Sequence, residues 1–113
     1  MGQDMTDVFD HPWLGGLFAD PDMAALWSPD AQLAGMRAFE AAFSRALGRA
    51  GLADPAQAEA AARAAERAGF DMDDLRAGTG QDGVVVPRLV RQIKAVAGEA
   101  AGAVHKGATS QDV

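Results

Sequence analysis

The chemistry of this 113-residue chain is concentrated in one stretch, His105-Lys106-Gly107-Ala108-Thr109-Ser110-Gln111-Asp112-Val113. It carries an imidazole, an ammonium, two hydroxyls, an amide and a carboxylate, with a glycine that lets the backbone turn. Hydroxyl, amide and backbone N–H donors set side by side suit the holding of a carboxylate or another small anion. Thr109 or Ser110 can cap a helix start, and Asp112 stands where the third position of a capping box would close it. Such a start is either an anion site, through its unpaired N–H groups and dipole, or an ordinary capped turn. The spacing by itself leaves both readings open. A capping box introduces an apolar helical run, yet the sequence ends one residue after Asp112.

Three other places carry polar groups that need an explanation. Glu40 falls inside an apolar helical stripe, four residues after Met36 and three before Phe43. A carboxylate buried there must be paired or hydrogen-bonded. It reads as a structural carboxylate meeting an arginine or a helix end in preference to a catalytic acid. His11 stands alone and reads as a surface histidine. The run Gly78-Thr79-Gly80-Gln81-Asp82-Gly83 reads as a loop by composition. It matches no dinucleotide or P-loop fingerprint, and no strand-then-helix unit surrounds it.

The elements that must position these groups read as helices. Hydrophobic residues make up 49% of the chain and aromatics 6%, and alanine dominates the apolar fraction, which suits closely packed helices. Residues 1–20 read as a weakly structured arm, broken at His11-Pro12 and Gly15-Gly16. Its Phe9, Trp13, Leu14, Leu17 and Phe18 would cover the helices or another subunit. A short turn is expected over Pro21–Trp27. Ser28 then caps a long helix, Pro29–Ala50, whose stripe is Leu33, Met36, Phe39, Phe43, Leu47 and Ala50. Asp54 caps an alanine-rich helix over Pro55–Ala68, and Asp71 a short turn through Leu75. The last helix, Pro87–Ala100, carries the stripe Val86, Leu89, Val90, Ile93, Val96, Ala97 and Ala100. The expectation is an all-α fold of four or five helices in a single domain over 1–113, with no β-sheet.

Composition also excludes function classes. The formal net charge of −6 argues against nucleic acid, which needs a basic face. The chain has no cysteine, so disulfides and thiolate metal sites are out and a reducing, cytoplasmic setting is expected. No basic apolar leader precedes residue 20, and no run approaches the roughly 20 apolar residues that span a bilayer.

His105-x-Gly107-Ala108-Thr109-Ser110-Gln111-Asp112 resembles the first signature region of the fumarase/aspartase superfamily. Its wording is nearest to the 3-carboxy-cis,cis-muconate cycloisomerase branch. Adenylosuccinate lyases show a serine where Gln111 stands. Leu33–Ala42 is similar to that branch's first long helix, and Asp82–Val90 to the segment entering the helix before the signature. The resemblance implies a small helical N-terminal domain, truncated before a central helix bundle, from a parent several times longer. It also implies a homotetramer whose active sites draw on three subunits. The signature normally continues with Asp-Thr after one more residue. Those residues, a second region with its histidine and a later base loop are not in the sequence, so the fragment alone is expected to be inactive.

The implied activity is conversion of 3-carboxy-cis,cis-muconate, a small tricarboxylate, to 4-carboxymuconolactone in aromatic catabolism, with no cofactor and no metal. By the same resemblance Thr109, Ser110 and Gln111 donate to a substrate carboxylate, His105 and Lys106 add polar or positive character, and Asp112 holds the loop. Two alternatives are an adenylosuccinate lyase-like enzyme and a non-catalytic helical interaction module.

Overall fold

In the computed structural model, residues 7–113 are described; they contain six α-helices, two 3₁₀ segments and no strand. The helices are α1 (Gly15–Phe18), α2 (Pro21–Leu26), α3 (Pro29–Arg49), α4 (Pro55–Arg67), α5 (Met72–Asp82) and α6 (Val86–Ala97). The 3₁₀ segments are Gly98–Ala103 and Ser110–Asp112. The fold is all-α. Contacts divide the chain into two units, the first ending at Leu33 and the second running from Ala34 to Val113.

In the first unit, α1 forms across the Gly15-Gly16 pair that the sequence marks as a breaker. The reason is local. Gly15 is buried, and a Cβ there would meet the Phe9 carbonyl oxygen at 2.7 Å, so only glycine fits. His11 is not a bare surface histidine, because its Nδ1 accepts the Leu14 N–H at 3.2 Å. Asp20 caps α2 by accepting from Asp22 and Met23 N–H, both at 3.1 Å, and Pro21 fits the first turn. Ser28 caps α3, accepting the Ala31 N–H at 3.1 Å. Phe9, Trp13, Leu17, Phe18, Met23, Leu26 and Trp27 all remain exposed.

The second unit holds the core. The apolar stripe of α6 packs as its spacing predicts: Leu89 and Ile93 are fully buried, with Val86, Val90 and Ala100 beside them. Val96, assigned to the same stripe, is exposed. The helix ends at Ala97 rather than Ala100, because Gly98 adopts φ 57° and the chain tightens into a 3₁₀ turn. The alanines Ala58, Ala61, Ala62, Ala64 and Ala65 of α4 are buried, and their small side chains allow close approach. The same economy places Gly48 of α3 where a Cβ would come within 2.8 Å of the Ala58 Cβ.

Two further expectations fail in this unit. Residues 78–82 are helical, not a loop, as part of α5, which Asp71 caps and which Gly83 ends at φ 76°. Gly78 is buried against α6, and a Cβ there would meet the Arg88 Cβ at 2.7 Å. Arg88 then reaches Asp74 and donates to Gln81 at 3.0 Å, while Thr79 donates back to the Leu75 carbonyl at 2.8 Å. Helix packing has overridden glycine's weak propensity. The second failure is the face of α3. Of the expected stripe Leu47 is buried, together with Glu40, Ala41 and Ser44, while Leu33, Met36, Phe39 and Phe43 are half-buried and Ala50 is exposed.

Candidate functional site

The polar stretch at residues 105–112 follows directly from the 3₁₀ segment Gly98–Ala103, and Val104 anchors its root in the core at 2% exposure. Between Val104 and Thr109 the chain reverses. His105 adopts φ 57° and Gly107 φ 85°, and the Ala108 N–H donates to the His105 carbonyl at 3.2 Å. A left-handed conformation is free for glycine but costs a histidine, so contacts elsewhere must hold residue 105 there.

Those contacts come from α3 and the turn after it. His105 Nδ1 lies 2.6 Å from Glu40 Oε1. Ser44, one helical turn after Glu40 on the same face, donates its hydroxyl to the Ala103 carbonyl at 2.9 Å. Lys106 Nζ donates to the Leu52 carbonyl at 2.8 Å. Residues 103, 105 and 106 are thus tied to one helix and its C-terminal turn. The sequence expectation for Glu40 is half met: it is a paired, buried carboxylate, but its partner is a histidine and not an arginine or a helix end. Ser44 has no part in the sequence reading, although its place four residues after Glu40 was a usable signal.

Glu40 is fully buried, and its second oxygen, Oε2, has no hydrogen-bond partner among the described residues. Burial pushes its carboxyl above the usual carboxylate range. The hydrogen bond and charge of His105, and more weakly the charge of Lys94 on α6, pull the other way without cancelling it.

Beyond the turn, Ser110–Asp112 is a single 3₁₀ turn. Asp112 accepts the Thr109 N–H at 2.9 Å, and its own N–H donates to the Thr109 carbonyl at 3.0 Å. The box predicted from spacing forms, but three residues carry too few aligned peptides for a helix dipole to matter. The anion-binding expectation therefore falls to the side chains and single N–H groups. Thr109 donates its hydroxyl to Gln111 Oε1 at 3.1 Å, which occupies that donor. The Ser110 hydroxyl and the Gln111 amide nitrogen make no hydrogen bond among the described residues. Ser110 and Gln111 instead line a groove of about 230 Å³ with Met36, Val84, Val85 and Val86. These apolar neighbours carry no chemical signature, so sequence reasoning had no means of placing them beside the motif.

The structure therefore gathers the five sequence candidates into one short segment but in two groups. His105 and Lys106 face α3 and its following turn, while Ser110 and Gln111 share the groove and Thr109 bonds to Gln111. Among the described residues no cluster of three or more His, Cys, Asp or Glu could hold a metal ion, and no helix is long and apolar enough to cross a membrane.

No family model matches the chain. Two curated proteins are similar. The 3-carboxy-cis,cis-muconate cycloisomerase of Pseudomonas aeruginosa is 38% identical over 113 residues, covering 96% of this chain and 24% of that protein. The N-acetyl-S-(2-succino)cysteine lyase of Enterococcus italicus is 29% identical over 108 residues, again covering 96% and 24%. The chain thus spans about a quarter of the length of the curated relatives it matches. Among solved structures, a fumarate lyase from Mesorhizobium sp. BNC1 superposes with a TM-score of 0.78 at 36% identity, covering 84% of this chain and 22% of that one. With the helical fold, these relatives and the motif at residues 105–112 in agreement, the chain belongs to the fumarase/aspartase superfamily.

Proposed function

We propose that this chain is the N-terminal part of a 3-carboxy-cis,cis-muconate cycloisomerase, which closes 3-carboxymuconate to 4-carboxymuconolactone without a cofactor. The observation that carries the reading is the identity with the Pseudomonas aeruginosa cycloisomerase along nearly the whole chain. In this reaction one substrate carboxylate adds to a double bond while a proton is delivered beside another carboxylate. The costly species is a carbanion whose charge flows into that second carboxylate, so donors fixed around it lower the barrier. Ser110 and Gln111, from the groove, and Thr109, once it releases Gln111, are the proposed donors. His105 and Lys106 add positive character at the base of the segment.

The complete protein acts as a homo-oligomer in this reading, and the expected arm over residues 1–20, of which 1–6 lie outside the described residues, serves that assembly through residues 7–20. Support comes from the exposed Phe9, Trp13, Leu17 and Phe18, large apolar groups that another subunit would cover. The site is completed by residues outside the 113 present, so the isolated chain turns over no substrate. A second reading, a lyase cleaving a succinyl adduct, is favoured by the similarity to the succinocysteine lyase. The test is an assay of the complete enzyme on 3-carboxymuconate and on N-acetyl-S-(2-succino)cysteine in parallel. Lactone formation without cleavage of the succinyl adduct is expected. Fumarate release from the adduct, with no lactone, would hand the assignment to the second reading. Turnover by the 113-residue chain alone would overturn the claim that it is inactive.

A further inference from the structure

We propose that Glu40 is a positioning residue for His105: from its buried seat on α3 it accepts the Nδ1–H, fixing one ring tautomer and leaving Nε2 as the nitrogen that meets substrate. The proposal deepens the reading of residues 105–112 as a substrate-carboxylate site and rests on it. Its geometry is the 2.6 Å contact between Glu40 Oε1 and His105 Nδ1, with the Glu40 side chain at 0% exposure. Among the described residues no hydrogen bond uses His105 Nε2.

A purely structural role would be served better by other residues. A carboxylate buried with one oxygen unpartnered is costly, and apolar packing at such a place is often neutral or stabilising. The histidine is also held left-handed at φ 57°. Two costs at one contact, in a segment already pinned by Ser44 on Ala103 and Lys106 on Leu52, point to a demand on the ring itself. A carboxylate on Nδ1 meets that demand. It orients the ring, excludes the Nε2–H tautomer and stabilises the imidazolium formed when Nε2 takes a proton. Nε2 then becomes a charged donor to a substrate carboxylate, and Glu40 carries the balancing charge. The proton comes from solvent with the substrate, so no other co-reactant is required.

The first test needs no substrate. Long-range 1H–15N correlation on the chain with ring-labelled histidine reads both ring nitrogens, and His11→Gln assigns the two histidines. The neutral ring of His105 is expected to carry its proton on Nδ1. Glu40→Met should move it to Nε2, the tautomer free histidine prefers, and Glu40→Gln should retain Nδ1–H because its amide oxygen still accepts. A wild-type ring protonated at Nε2 alone overturns the proposal without any variant, which covers the case in which Glu40→Met does not fold. In the complete enzyme, Glu40→Met should lower kcat/KM for 3-carboxymuconate about 10²-fold and Glu40→Gln should recover most of it. Unchanged kcat/KM in a folded Glu40→Met enzyme also overturns it. A complete enzyme inert towards 3-carboxymuconate, with the ring tautomer as expected, would sink the functional reading and leave the hold of Glu40 on His105 standing.

Discussion

Helices α6 and α3 meet the same core in opposite ways. α6 is seated by hydrocarbon: Leu89, Ile93, Val86 and Val90 are buried, and Arg91 and Lys94 are exposed. α3 is seated largely by polar ties. Arg37 donates to the Ala65 carbonyl at 3.2 Å in the last turn of α4 and lies over the Phe70 ring at 4.4 Å. Arg45 reaches both Glu59 and Glu66, Ser44 holds Ala103, and Glu40 holds His105. Meanwhile Phe39 and Phe43 stack on each other at 5.9 Å and stay half-buried. An apolar stripe that its own unit leaves half-covered, beside a polar line that it buries, suggests a helix shaped by more than the stability of these residues. α6 answers to the core, whereas α3 also answers to the segment mounted on it.

The largest expected effect tests the hydrocarbon side of that contrast. Leu89→Ala should cost about 2–5 kcal/mol by chemical denaturation, the loss typical of a fully buried leucine that leaves a cavity. Phe43→Ala, the aromatic of the α3 stripe, should cost clearly less, because part of that ring is already in water. Equal losses would break the comparison.

The next effect tests what α3 carries. In the complete enzyme, Ser110→Ala should lower turnover by about 10²–10³-fold if its hydroxyl stabilises charge in the transition state. A hydroxyl with no part in the reaction would instead leave turnover per folded molecule intact, and with no hydrogen bond to lose among the described residues it would barely change stability. Measuring kcat, KM and the unfolding midpoint on one preparation separates the two outcomes.

The contrast also explains what could be read from the sequence. Leu89 and Ile93 were legible because a helix packed on one side keeps a simple period, and periodicity carries that information. Ser28, Asp54 and Asp71 were legible because capping is local. The face of α3 was not, since a stripe of Met36, Phe39 and Phe43 looks the same whether its cover lies within these residues or not. Nor was the helicity of residues 78–82, which depends on the approach of Arg88 from another helix. At the candidate site, residue types announced the motif, while its mount on Glu40 and Ser44 joins positions 65 and 59 residues apart in sequence and needed coordinates.

A smaller effect concerns the burial of Glu40. A carboxyl whose folded pKa is raised holds its proton better folded than unfolded. It adds stability below the ordinary value of 4.5, and that contribution is lost as pH rises through the folded value. Glu40→Gln removes the term and leaves the exposed carboxylates alone. Unfolding midpoints followed from about pH 4 to about pH 7 should therefore show the variant gaining on the wild type as pH rises. The opposite slope would mean that the His105 contact outweighs burial, making Glu40 a net electrostatic anchor for α3.

The smallest effect is at Arg45, and it asks whether the polar ties of α3 are electrostatic at all. Arg45 donates to Glu59 at 3.0 Å and to Glu66 at 2.6 Å, and its contacts hold both carboxyls below the usual range. All three side chains are substantially exposed, so water and salt screen them and the flexible groups lose entropy on pairing. Arg45→Met keeps most of the aliphatic stem and removes the charge, so it should destabilise only slightly. That loss should shrink towards nothing near about 1 M salt, where the screening length falls to about 3 Å. A loss that salt does not touch would place the contribution of Arg45 in the packing of its stem against α4. α3 and α6 would then differ less in how they are held than the ion pairs suggest, and the polar character of α3 would rest on its buried pair, Glu40 and Ser44.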